Sequence, residues 1–76
     1  MKMTFGEFVA LHTSMNSITR EREADRLAIV FVTENQQYEE QIEKHKSCDF
    51  LVSEFNAMIE SNNCRIEKLY KIQQAG

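Results

Sequence analysis

The sequence predicts an all-α protein in which a short N-terminal helix precedes a long antiparallel helical hairpin. The chain has 76 residues, no proline and only two glycines, Gly6 and Gly76, so the residues that usually punctuate turns are almost absent. Two long stretches repeat apolar residues at alternating spacings of three and four, which is the pattern of helices that pack side by side. One short polar stretch separates them, and there we expect the chain to reverse.

The first element is predicted as a helix over about residues 4–15. Thr4 and Glu7 have the spacing of a capping box at its start. Residues 13–17 are rich in side chains that compete for backbone hydrogen bonds, so we predict a break before the second helix. The alternative is one helix over residues 4–46 whose apolar face rotates. The apolar side chains and the histidine at helical spacings are Phe5, Phe8, Val9, Leu11, His12 and Met15.

The second and third helices form the predicted hairpin. We expect them over about residues 17–46 and 49–74, with the turn at 47–49, where Ser47 or Asp49 can cap the third helix. The stripe of the second helix consists of Ala24, Ala28, Phe31, Asn35, Tyr38, Ile42 and His45. The stripe of the third helix consists of Val52, Phe55, Ile59, Asn62, Ile66 and Leu69.

The two stripes face one another when the chain reverses between Cys48 and Asp49. In that register Asn35 lies opposite Asn62, so the asparagines that interrupt the two stripes meet. Buried amides need hydrogen-bond partners, and each asparagine can supply one to the other. A slip in register leaves both unpaired, so this pairing is a prediction of its own.

The segment over residues 27–32 is apolar all round a helix and rich in β-branched side chains, so a buried strand is the alternative. We predict a helix, because no second strand is present to pair with it. Such a helix needs cover beyond one neighbour, from the N-terminal helix or from a second copy of the chain. A monomer of 8.9 kDa also buries only about 63% of its unfolded surface. We therefore expect one helical domain over residues 1–76 that pairs into a helical-bundle homodimer.

Composition and charge exclude several classes of function. The net charge of −3 gives no electrostatic footprint for nucleic acid or for anionic lipid. No apolar run reaches membrane-spanning length, and residues 1–11 do not have the pattern of a signal peptide, so we expect a cytoplasmic protein without a membrane partner.

The chain shows no constellation for metal binding or catalysis. His45 and Cys48 lie three residues apart at the turn, but His12 and Cys64 cannot converge on them in a hairpin, so four zinc ligands do not assemble. Two cysteines and no loops leave a nucleophile without an orienting group or an oxyanion hole. We expect no enzyme activity, no cofactor and no small-molecule substrate.

The function we expect is binding to a larger protein, as a small regulator, adaptor or inhibitor. Such a protein docks through apolar helix faces, with selectivity from flanking charges. Small size and surplus apolar surface are also typical of phage- or plasmid-encoded host-takeover proteins and of small secretion chaperones. The candidate partner-binding residues are Phe5, Phe8, Leu11, Met15, Ile29, Val30 and Val32. The alternative is that the N-terminal set and the set at positions 29–32 cover one another within the monomer.

Two further functions are kept as alternatives. One is a nucleic-acid-binding regulator of helical-bundle type, although acidic residues are interleaved with the basic ones. The other is a purely structural subunit that uses its apolar surface for self-assembly. The candidate nucleic-acid edge consists of Arg20, Arg22, Arg26, Arg65, Lys68 and Lys71.

Overall fold

The computed structural model describes residues 2–74 and confirms the all-α fold. Helix α1 spans Phe5–Leu11 and continues into one turn of 3-10 helix. Helices α2, Ser17–Lys44, and α3, Asp49–Gln74, pack together as the predicted antiparallel hairpin. The predicted single domain over residues 1–76 extends to residues 1, 75 and 76, which lie outside the described residues.

The molecule is elongated, with principal extents of 47 × 18 × 17 Å. Its radius of gyration of 14.6 Å exceeds the about 11 Å expected of a compact chain of this length. A two-helix rod explains the difference, because α1 is too short to cover the hairpin along its whole length.

The N-terminal helix is shorter than predicted, and the break before α2 is confirmed. Thr4 caps α1 by accepting a hydrogen bond from the Glu7 amide at 3.2 Å. Ser14 Oγ donates to the Leu11 carbonyl at 2.9 Å and ends the helical turn. Asn16 then caps α2 by accepting from the Thr19 amide at 2.8 Å. Short polar side chains thus take the backbone partners that a continuous helix would have used.

The segment over residues 27–32 is helical, as predicted, because it lies inside α2. Helix α2 ends at Lys44, two residues earlier than predicted. The His45 amide, just after the helix, still donates to the Gln41 carbonyl at 3.0 Å. Neither Ser47 nor Asp49 occupies the cap position of α3. Cys48 does, because its carbonyl accepts from the Val52 amide at 3.1 Å, and Asp49 is the first helical residue, where the helix dipole favours an acid.

The buried core lies in the half of the hairpin away from the turn, which we call the open half (residues 17–35 and 62–74). Phe8 of α1 and Leu69 of α3 are completely buried there. The Phe5 ring meets the edge of the Phe31 ring, with centroids 5.8 Å apart. The buried apolar residues are Phe8, Ala24, Leu27, Phe31, Leu69 and Ile72.

The predicted asparagine pair is present at the inner end of this core. Asn62 Nδ2 donates to Asn35 Oδ1 at 3.0 Å, and Asn35 Nδ2 donates to Asn63 Oδ1 at 3.0 Å. Asn62 also bonds Glu34 Oε1 at 3.2 Å and accepts from Arg65 at 3.2 Å. The two buried amides are therefore satisfied within the hairpin, and the register is the one that the sequence predicts.

The other half of the hairpin, which we call the turn half (residues 36–61), contains no buried residue. Tyr38 and Phe55 stack with ring centroids 5.9 Å apart, and Ile42, Val52 and Ile59 are half-buried. A two-helix layer cannot enclose these side chains by itself, so the turn half lacks the third layer that α1 gives to the open half.

Replacing Phe8 with Ala is expected to lower the free energy of unfolding by about 3–5 kcal/mol, because it leaves a cavity at a completely buried site. Urea unfolding followed by circular dichroism measures the change. Phe50→Ala is the matched control, because Phe50 is 70% exposed and its removal should cost less than about 0.5 kcal/mol. Equal losses in the two variants would contradict the position assigned to α1.

Replacing Asn35 with Leu is expected to cost about 1–3 kcal/mol, because Asn62 loses its buried acceptor. Replacing Asn35 and Asn62 together should cost less than the sum of the two single changes, which a double-mutant cycle measures. Asn56→Leu serves as the control at an exposed asparagine. Two single variants as stable as the parent would place this pair in solvent and disprove the register.

Candidate protein-docking surface

The candidate residues of the N-terminal segment differ in their exposure to solvent. Phe8 is completely buried, and Phe5 and Met15 are half-buried against the core. These three side chains pack within the monomer and do not form a free surface. They do not cover the set at positions 29–32, as the alternative expected, because Ile29, Val30 and Val32 are exposed. Leu11 differs, because it is 45% exposed.

The candidate residues of α2 are exposed. Ile29, Val30 and Val32 are 66%, 40% and 45% exposed, so α1 covers the hairpin without covering this segment. Residues three and four apart are neighbours on a helix surface, and Thr33 lies beside both Ile29 and Val30. We call Ile29, Val30, Val32 and Thr33 the outer patch; α1 and α3 leave it open to solvent.

The composition of the outer patch is unusual for the solvent face of a helix. The exposed surface of a helix normally carries polar and charged side chains. Here Asp25 and Arg26 precede the patch and Gln36 follows it. The patch is thus an apolar area with charged and amide groups at its edges, which is the composition expected of a protein contact.

Sequence reasoning missed other exposed apolar side chains. Ile18 is 63% exposed, Phe50 70%, Met58 43% and Tyr70 61%. Phe50 and Tyr70 lie beside the α3 stripe rather than in it, and an aromatic residue off a regular stripe is the signal that could have identified them.

The predicted basic edge is largely engaged in contacts within the chain. Arg20 donates to the His12 carbonyl at 3.3 Å, and Arg26 bonds Glu23 at 3.1 Å and the Met3 carbonyl. Arg65 bonds Asn62 and lies 5.6 Å from the centre of the Phe31 ring.

Of the remaining basic residues, Lys71 pairs with Glu67 at 3.3 Å. Arg22 and Lys68 have no ion pair among residues 2–74 and are exposed. Three arginines of the edge, Arg20, Arg26 and Arg65, are thus held by contacts within the chain, and few cations are left free for phosphate groups.

Within residues 2–74 there is no pocket and no group of three or more His, Cys, Asp or Glu side chains placed to hold a metal ion. Cys48 and Cys64 are free and exposed. None of the described helices is both long and apolar enough to span a membrane.

The comparisons with known proteins add no assignment. No protein-family model, no curated protein and no solved structure matches the chain.

Proposed function

We propose that the protein is a small non-enzymatic regulator, adaptor or inhibitor that binds a larger protein partner through the outer patch of α2. The observation that carries this proposal is the exposure of Ile29, Val30 and Val32 on a helix whose opposite side already holds the core. The patch does not contribute to the core of the monomer, because the buried residues of α2 lie on the opposite side of the helix.

The mode of binding that this geometry favours is helix-on-helix packing or insertion of α2 into a groove. Ile29 and Val32 are one turn apart, and such i and i+3 positions anchor an amphipathic helix in an apolar groove. The exposed Asp25 and Gln36 at the edges give selectivity, since polar and charged groups at the rim of an interface steer and discriminate partners.

The rest of α2 suits this role because it is held rigidly. Phe31 on the inner side contacts Phe5 and Arg65, and Arg26 ties the helix to the N-terminal segment. A patch on a rigid helix loses little conformational entropy on binding. The exposed free thiols of Cys48 and Cys64 fit a reducing compartment, and we propose the cytoplasm as the site of action.

Nucleic-acid binding is not favoured as a second function. Four of the six predicted basic residues, Arg20, Arg26, Arg65 and Lys71, have partners within the chain. Recruiting them to phosphates would require breaking those contacts.

The test is affinity capture with the outer patch altered. Ile29→Asp and Val30→Asp are expected to lose the captured protein, because each places an unpaired carboxylate in an apolar contact, while circular dichroism remains helical. Phe50→Asp is the control, since Phe50 is at least as exposed as the two α2 residues but lies on α3 next to the turn. If both α2 variants retain the partner and the control loses it, the outer patch is not the binding surface.

A further inference from the structure

The edge of the outer patch that runs beside Val32 carries acidic side chains. Residues seven apart lie on the same side of a helix, and Asp25, Val32 and Glu39 are seven apart in turn. The two acids therefore lie on either side of Val32, each about 10.5 Å from it along the helix axis. Both are exposed, so this apolar side chain is bordered by carboxylates at both ends.

Glu21 extends the same edge toward the start of α2. It precedes Glu39 by five full turns of about 3.6 residues, so the two side chains lie on one line of the helix. None of these three exposed acids forms an ion pair among residues 2–74. Asp25 Oδ1 accepts a hydrogen bond from Gln73 Nε2 at 2.9 Å, which is a neutral donor and leaves the charge uncompensated. We call Glu21, Asp25 and Glu39 the acidic edge.

The opposite edge of the outer patch, beside Val30, has no such excess of charge. Arg26 lies one turn before Val30, and its guanidinium pairs with the Glu23 carboxylate at 3.1 Å. Glu40 and Lys44 carry opposite charges four residues apart, and such positions are neighbours on a helix surface. The two edges therefore differ, because one is acidic and the other is close to neutral.

One exposed base, Arg22, lies near the acidic edge. It precedes Ile29 by seven residues and so lies on the line of Ile29, along the middle of the outer side of α2. It forms no ion pair within the described part of the chain, and a single guanidinium does not balance three carboxylates. The Val32 side of α2 thus keeps a net negative charge where a partner would contact it.

The spacing along the acidic edge fits a helix of a partner protein. Asp25 and Glu39 are about 21 Å apart along α2, which is the length of about four helical turns. A helix that packs along α2 at a shallow angle can place apolar side chains on Ile29 and Val32 while one of its flanks runs beside both acids. Acidic side chains on that flank would be repelled, whereas lysine or arginine would be complementary.

On the basis of the function proposed above, we propose that the outer patch binds an amphipathic helix of another protein whose apolar stripe has lysine or arginine along one flank, and that this flank lies against the acidic edge. Ile29 and Val32 supply the apolar contact, and the acidic edge selects the helices that can use it. The chain's net charge of −3 acts in the same direction at longer range, because opposite net charges accelerate the encounter of two proteins.

Binding of synthetic peptides tests the charge of the partner helix. Three helical peptides of about five turns share one apolar stripe and differ on one flank, which carries Lys, Gln or Glu. We expect the Lys peptide to bind roughly tenfold more tightly than the Gln peptide, and the Glu peptide more weakly than either, because each exposed ion pair contributes a small amount. Fluorescence anisotropy measures the dissociation constants, and added salt should reduce the differences between them.

Variants of the chain locate the effect. Asp25→Asn with Glu39→Gln removes two charges of the acidic edge and keeps an amide oxygen as the acceptor for Gln73. This double variant is expected to reduce the tenfold preference for the Lys peptide to about threefold or less. Glu54→Gln with Glu60→Gln is the matched control, because it removes the same charge from exposed positions of α3 and should leave the preference unchanged.

Ile29→Asp separates this inference from the proposed function, because it should abolish the binding of all three peptides. Loss of binding in that variant without any preference for the Lys peptide in the parent chain would overturn the acidic edge as a contact and leave the outer patch as the docking surface. A preference that survives Asp25→Asn with Glu39→Gln would do the same. Binding that Ile29→Asp does not weaken would contradict both proposals, as would a parent chain that binds none of the peptides.

Discussion

The hydrogen-bonded pair of Asn35 and Asn62 is the constraint on which the rest of the structure depends. Two apolar stripes can slide past each other by a turn at small cost, but two buried amides have one register in which each satisfies the other. Fixing that register brings Phe31 of α2 to Arg65 of α3 and closes the core around Leu69. The packing of α2 against α3 in the open half follows from this alignment.

The short α1 makes the two ends of the hairpin unequal. It supplies Phe8 to the open half and attaches there through the arginines of α2, whereas the turn half receives no third layer. Apolar side chains that remain exposed on α2 form the outer patch, whereas Ile42, Val52 and Ile59 of the turn half are half-buried.

Much of the fold can be predicted from the sequence, because heptad spacing and the absence of proline are local signals. The asparagine register is also readable, since two polar interruptions must meet. The position of α1 is not readable: Phe8 and Leu11 are both apolar and one turn apart, yet one is buried and the other exposed. That difference depends on tertiary packing, which places Phe8 in the core formed with α2 and α3.

The candidate surface was predictable only in part for the same reason. The excess of apolar residues in α2 indicates a contact, but the sequence does not tell which side α1 covers. Arg20 and Arg26 donate to backbone carbonyls of the N-terminal segment. Every residue has a backbone carbonyl, so the sequence does not indicate which one an arginine will bond.

The most direct test of the central claim is nuclear magnetic resonance of the asparagine side-chain amides. The structure predicts slow solvent exchange of the Asn62 amide protons and nuclear Overhauser effects between the side chains of Asn35 and Asn62, whose Nδ2 and Oδ1 atoms are 3.0 Å apart. Rapid exchange of both side-chain amides, or contacts from Asn35 to residues one turn away from Asn62 in α3, would contradict the register and the fold built on it.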